Sequence, residues 1–165
     1  MSPQWGRTHV YKSQIARPLL VASITLSGSI LLFAADRGTP AEAKAMLQKA
    51  VAHYKEVGRK QALADFNVKK TPFGDRDLYV VCIGPDHKVI ANGGFPQYVG
   101  HSADLLKDAE GKSVGKAGWD VATSKGEGSV KYQWTNPMTR KPEPKITFFA
   151  KAGDDVCGVG AYNPK

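Results

Sequence analysis

The apolar residues of this chain change their spacing from helical to strand-like between Phe66 and Leu78, and that change dictates the fold class. Before it they recur at Ala43, Leu47, Ala50, Val51, Tyr54 and Val57, the one-sided spacing of an amphipathic helix. The start of this helix is marked. Thr39 offers a capping oxygen, Pro40 suits the first helical position, and Glu42 is placed to reach back in a capping box. Gly58 is placed to end it. Arg59 to Phe66 then reads as a shorter helix with Leu63 and Phe66 turned inward, and Asn67 to Asp75 as a polar loop holding Pro72 and Gly74.

Beyond the change the pattern is that of strands. Leu78-Tyr79-Val80-Val81-Cys82-Ile83 is a continuous apolar run rich in β-branched residues, which reads as a central strand. Gly84-Pro85-Asp86-His87 turns the chain into a shorter strand, Lys88 to Asn92, and the two make a hairpin. Residues 93–112 hold Gly93, Gly94, Pro96, Gly100 and Gly111 and read as a long irregular excursion, of the kind that in compact domains is functional or disordered. Ser113 is placed to cap a helix reaching about Ser124, with Val114, Ala117, Val121 and Trp119 inward. Ser129 to Trp134 alternates, Val130, Tyr132 and Trp134 on one face and Lys131 and Gln133 on the other. Thr135 to Pro144 reads as a loop, Lys145–Lys151 as a strand, Gly153-Asp154 as a turn and Asp155 to Tyr162 as the last strand. The sum is one antiparallel α+β domain.

Residues 1–35 are of another kind. They carry Arg7, Lys12 and Arg17 and no acidic residue, and from Leu19 to Ala35 no charge at all. A basic segment followed by a short apolar run is the pattern of a secretory signal peptide. The run is short, and rich in Ser, Thr and Gly, against the roughly 20 strongly apolar residues of a membrane span. A cut after Ala35 or Ala34 would put Phe33 or Leu32 where a small residue is usual, so an uncleaved anchor stays open as the alternative. Either way an exported domain over residues 36–165 is expected, periplasmic or secreted, or held at the inner membrane facing the periplasm. Of the net charge of +8, three units lie in the leader, and the remaining lysines are scattered. No nucleic-acid face is expected, since that needs clustered basic residues with interleaved aromatics.

Several segments then fall in a familiar order: "ALADFN", "DLYVVCIGPDHKVIANGG", "YVGHSADLLKDAEGK", "GEGSVKYQWTNPMTRKPEPK" and "VCGVGAY". Over about residues 40–163 they resemble the single Cache domains of type 2, extracytoplasmic sensor modules of bacterial chemoreceptors and kinases. The resemblance implies a PAS-like fold, with a five-stranded antiparallel sheet, a long amino-terminal helix on one face and a ligand pocket on the other. It implies a small organic acid, amino acid or related metabolite as ligand. Two positions depart from the pattern: Gly84-Pro85 replaces an acidic turn, and Asn92 stands where a histidine commonly ends the second strand. Chemoreceptors and kinases continue into a membrane span and an output domain, whereas this sequence stops at Lys165. The expectation is a binding protein without its own output domain; the alternative is a module that docks onto a membrane sensor kinase or chemoreceptor without a ligand.

Catalysis is not expected. His9, His53, His87 and His101 lack metal-ligand spacing, and HExxH, GxSxG, phosphate-loop and CxxCH motifs are absent from the sequence, so no metal and no cofactor is expected. Gly158-Val159-Gly160 reads as backbone packed closely against a helix or ring. In the pocket that the resemblance implies, Tyr79, Tyr132, Trp134 and Phe148 would come from strands, Phe95 and Tyr98 from the excursion, and Trp119 from the helix after it. Plain core packing is the alternative for each ring. Lys145 and Arg140 are the candidate donors to a carboxylate, Lys131 being turned away by the alternation. The Cache-like strand order makes the strands of Cys82 and Cys157 antiparallel neighbours. In an exported protein a disulfide between them is chemically plausible, and two buried free thiols acting as small apolar residues are an equal reading; both stay open.

Overall fold

The computed structural model describes residues 37–164 together with Met1; the leader and its apolar run, residues 2–35, lie outside the described residues. The capping box forms as the sequence suggests. Thr39 Oγ1 accepts from the Glu42 N–H at 3.2 Å, the Glu42 carboxylate accepts from the Thr39 N–H at 2.7 Å, and α1 runs over Pro40–Val57. Ala43, Met46, Leu47, Ala50 and Tyr54 form its buried stripe. Val57, expected on that stripe, is 38% exposed, because Gly58 at φ 81° already turns the chain away. Helix α2 (Arg59–Asn67) buries Ala62, Leu63 and Phe66. The next loop is less polar than it reads: Phe73 is buried edge-on against Phe66, ring centres 4.8 Å apart. A two-residue strand, β1 (Gly74–Asp75), follows.

The sheet is built from β2 (Leu78–Ile83), β3 (Val89–Asn92), β4 (Glu127–Thr135), β5 (Pro142–Ala152) and β6 (Asp155–Tyr162). All pairings are antiparallel, in the order β3-β2-β6-β5-β4, and β1 pairs with the start of β2 on the edge that β3 also uses. Strand β5 begins at Pro142, inside the segment expected to be loop. Pro142 and Pro144 are two residues apart, so both missing N–H groups fall on the side away from β4, where β6 has run out at Tyr162. No ladder bond is lost there, and proline is tolerated.

Successive residues of each strand face opposite sides. Leu78, Val80 and Cys82 of β2 and Cys157, Val159 and Ala161 of β6 meet α1 and α2 in the larger core. Cys82 and Cys157 stand directly opposite each other in the β2–β6 register and are joined as a disulfide, both fully buried. The other face receives α3 (Val114–Lys125), capped by Ser113, and the excursion with its two short 3₁₀ turns, Pro96–Tyr98 and Ala103–Leu105. Val114, Ala122, Val130, Phe149 and Val156 form the core on that side.

Candidate functional site

Between the sheet and this second layer lies a small cavity of about 30 Å³. Its floor is four strands: Tyr79, Val81 and Ile83 from β2, Gly160 from β6, Lys145, Thr147 and Phe149 from β5, and Tyr132 and Trp134 from β4. Leu106 and Val114 close it from above, and Asn92 closes it from the side. Most of the lining is hydrocarbon or ring, and it contains no carboxylate.

Lys145 is the exception. It is 3% exposed, and Nζ donates to the Tyr79 hydroxyl at 2.7 Å and the Tyr162 hydroxyl at 3.2 Å. Nζ also lies over both rings, 4.2 and 4.3 Å from their centres, where the ring quadrupole favours a cation. Among the described residues no carboxylate forms an ion pair with it. Burial holds its pKa well below the ordinary lysine value, opposed by the field of the more distant Asp77. The tyrosines shift the other way: burial raises Tyr79 and Tyr132 well above the usual phenol range. Tyr132 meets Thr147 hydroxyl to hydroxyl at 2.7 Å, and Tyr162 donates to the Thr135 carbonyl at 2.9 Å. Space for the lysine stem is made by Gly160, since a Cβ there would overlap Lys145 and Thr147. Gly158 likewise makes room for the Phe149 ring, which is the close packing its sequence context suggests.

Asn92 supplies a second polar group. Its Oδ1 accepts from the N–H groups of Gly94 at 3.2 Å and Phe95 at 2.9 Å, which fixes the side-chain orientation. The carboxamide N–H₂ lacks a hydrogen-bond partner among the described residues, in a side chain 3% exposed at the cavity wall. Strict alternation from Val89 would aim Asn92 at the other face. The register shifts between Cys82 and Ile83, where Ile83 pairs Val89 and Cys82 pairs Ala91, so Ile90 is an extra residue. That bulge re-aims Asn92 to the side of Val81 and the cavity. One ammonium and one amide donor thus face a small apolar space, an arrangement suited to a compact anion with an apolar body.

Of the residues singled out from the sequence, Tyr79, Tyr132, Trp134 and Lys145 line this cavity. Phe95 and Tyr98 instead line an outer groove of about 410 Å³ that shares Trp134 as a wall. Trp119 lines neither space; it is partly buried against the core on that side, tilted on His87 at 4.8 Å. Two expectations are corrected. Phe148 points to the opposite face and packs against α1, because β5 places Lys145, Thr147 and Phe149 on the cavity side. Arg140 is exposed in the β4–β5 turn at φ 61°, where the turn carries its side chain away from the sheet. Sequence reasoning missed Phe149, which the period-two pattern counted from Lys145 would have found, and marked Asn92 only as a departure from the family pattern, since no alternation could aim it at the cavity. Among the described residues no three His, Cys, Asp or Glu side chains gather as a metal site, and no helix is long and apolar enough to cross a membrane.

The family model described as single Cache domain 2 matches residues 39–162. No curated protein matches the chain. Among solved structures, a methyl-accepting chemotaxis protein from Vibrio parahaemolyticus is similar at 21% identity and TM-score 0.63, over 74% of this chain and 86% of that one. A periplasmic sensor domain of a chemotaxis protein is similar at 21% identity and TM-score 0.58, over 74% and 89%. A Cache chemosensory domain described in terms of carboxylic acid recognition is similar at 21% identity and TM-score 0.57, over 74% and 87%.

Proposed function

Starting from the fact that the chain belongs to the single Cache domain 2 family, we propose that it works outside the cytoplasm as a sensor-type binding protein for a small monocarboxylate. The observation that carries this reading is Lys145, an amine buried at a cavity wall with two tyrosine hydroxyls and, among the described residues, no counter-ion. A ligand carboxylate supplies the missing negative charge, and the Asn92 amide supplies a second donor. With no carboxylate in the lining, nothing meets the α-ammonium of an amino acid, and with one lysine nothing meets a second carboxylate. The cavity has room for only one or two water-sized groups, so it favours the smallest acids, and any larger acid requires the lining side chains to move. The basic, apolar leader fits export of the domain to the periplasm, as a cleaved signal peptide or a retained anchor.

The test is calorimetry and thermal shift on a fragment of residues 36–165 with acetate, propionate, alanine and succinate. Saturable binding of the first two, abolished in Lys145→Met, is the expected result. If none of the four binds the unsubstituted fragment, the ligand reading fails and the alternative, docking onto a membrane sensor through an empty domain, takes its place.

A further inference from the structure

The segments that enter and leave the domain meet at one carboxylate. Arg37 lies two residues ahead of the Thr39 cap, and its guanidinium pairs with Glu143 through both NH groups. Asn163 follows the last residue of β6, and its left-handed backbone, φ 47°, turns its side-chain amide onto the same Glu143 carboxylate at 3.1 Å. Asparagine tolerates that backbone region better than most residues. Asn136 bridges inward: its amide donates to Glu143 at 3.1 Å and to the fully buried Asp77 at 3.2 Å. Asp77 in turn accepts from the Gly38 N–H at 2.7 Å.

Lys145, which lines the cavity, connects to this cluster by two routes. Lys145 is two residues beyond Glu143 on β5, and Tyr162 is the residue just before Asn163. Lys145 Nζ binds the Tyr162 hydroxyl, and that hydroxyl also holds the Thr135 carbonyl at the start of the turn that carries Asn136. A ligand that draws Nζ toward itself therefore loosens Tyr162, and Tyr162 is covalently joined to one arm of the cluster. We propose that Glu143 is the joint through which occupation of the cavity is transmitted to both the entering segment, Arg37–Thr39, and the leaving segment, Tyr162–Asn163. Its biological use rests on the ligand reading above, but the coupling is a property of the chain and is testable without ligand. Glu143 here is a positioning residue, acting on the ends of the domain and not on a ligand.

The experiment is amide hydrogen exchange on the full 165-residue chain. The reporters are the N–H groups of Gly38 (to Asp77) and Asn163 (to Pro144), with that of Gly58 (to Tyr54) as a distant reference. Lys145→Met and, separately, Tyr162→Phe should each speed exchange at Gly38 and Asn163 by about an order of magnitude and leave Gly58 unchanged. Tyr162→Phe removes only a hydroxyl and serves where Lys145→Met raises exchange everywhere. In a Glu143→Gln background neither substitution should change Gly38 further, an interaction that a merely structural role for Glu143 would not produce. The proposal is overturned if Tyr162→Phe leaves Gly38 at its original rate, or if its effect persists undiminished in the Glu143→Gln protein. Acetate forms a separate arm: if acetate does not bind, the ligand reading falls while the substitutions still decide the coupling.

Discussion

Lys145 is held in the interior by two phenols and two ring faces, none of which carries a negative charge. A buried ammonium without a counter-ion costs stability, and methionine fills similar space without that cost. Lys145→Met should therefore raise the melting temperature of the ligand-free domain while abolishing carboxylate binding, a pairing that separates a site residue from a structural one. The pH dependence has a defined sign. With the folded-state pKa depressed, the unfolded chain holds more protons at Lys145 than the folded one between the depressed value and the ordinary 10.5. Stability contributed at this site therefore rises with pH across that window. Melting curves from pH 7 to 9.5 should show the rise in the unsubstituted protein and a flatter profile in Lys145→Met. Gly160→Ala offers a third reading at this scale: the added methyl displaces the lysine stem, so anion binding is lost although no donor has been removed.

At the scale of single elements, the bulge in β3 decides what the cavity presents. Asn92→Asp keeps both loop bonds to Gly94 and Phe95 but replaces the free amide with a carboxylate. The expected result is a folded domain that no longer binds acetate, read by calorimetry against an unchanged circular-dichroism spectrum. Thr39→Ala removes the cap of α1 and should cost about 1 kcal/mol in denaturant titrations. These elements also mark what could be read in advance. Helix α1 was legible because cap, proline, acidic N3 residue and apolar stripe all agree, and β4 because Val130, Tyr132 and Trp134 keep a strict period. Phe148 and Phe149 were not separable by composition, and only the alternation counted from Lys145 shows that Phe149 shares its face while Phe148 turns to α1. Asn92 was hidden for a stronger reason: its direction depends on an inserted residue in a pairing with β2, which is a long-range fact. Arg140 failed because a cation next to prolines says nothing of where a turn will point it.

For the whole molecule, the two faces of the sheet divide the work. One packs on α1 and α2 over β2 and β6 and leaves an open groove of about 480 Å³ between α1 and strands β4 and β5; the other keeps a small void, a free amide and a buried lysine without an ion-pair partner among the described residues. The disulfide belongs to the α1 face, and its position has a consequence for how the protein is made. Cys82 and Cys157 lie under α1 with no exposure, 75 residues apart in sequence. Closing a loop of that length stabilises the fold by about 4 kcal/mol in the chain-entropy view. No oxidant reaches those sulfurs once the helix has docked, because thiolate chemistry needs access. The bond must form while the helix is still away from the strands, so oxidation and collapse are in competition during biogenesis. Chains allowed to fold first under reducing conditions, then moved to glutathione disulfide, should keep two free thiols for far longer than chains oxidised as they fold. Thiol titration of the two preparations over time measures the difference, and equal rates of closure would show that α1 opens readily in the folded domain.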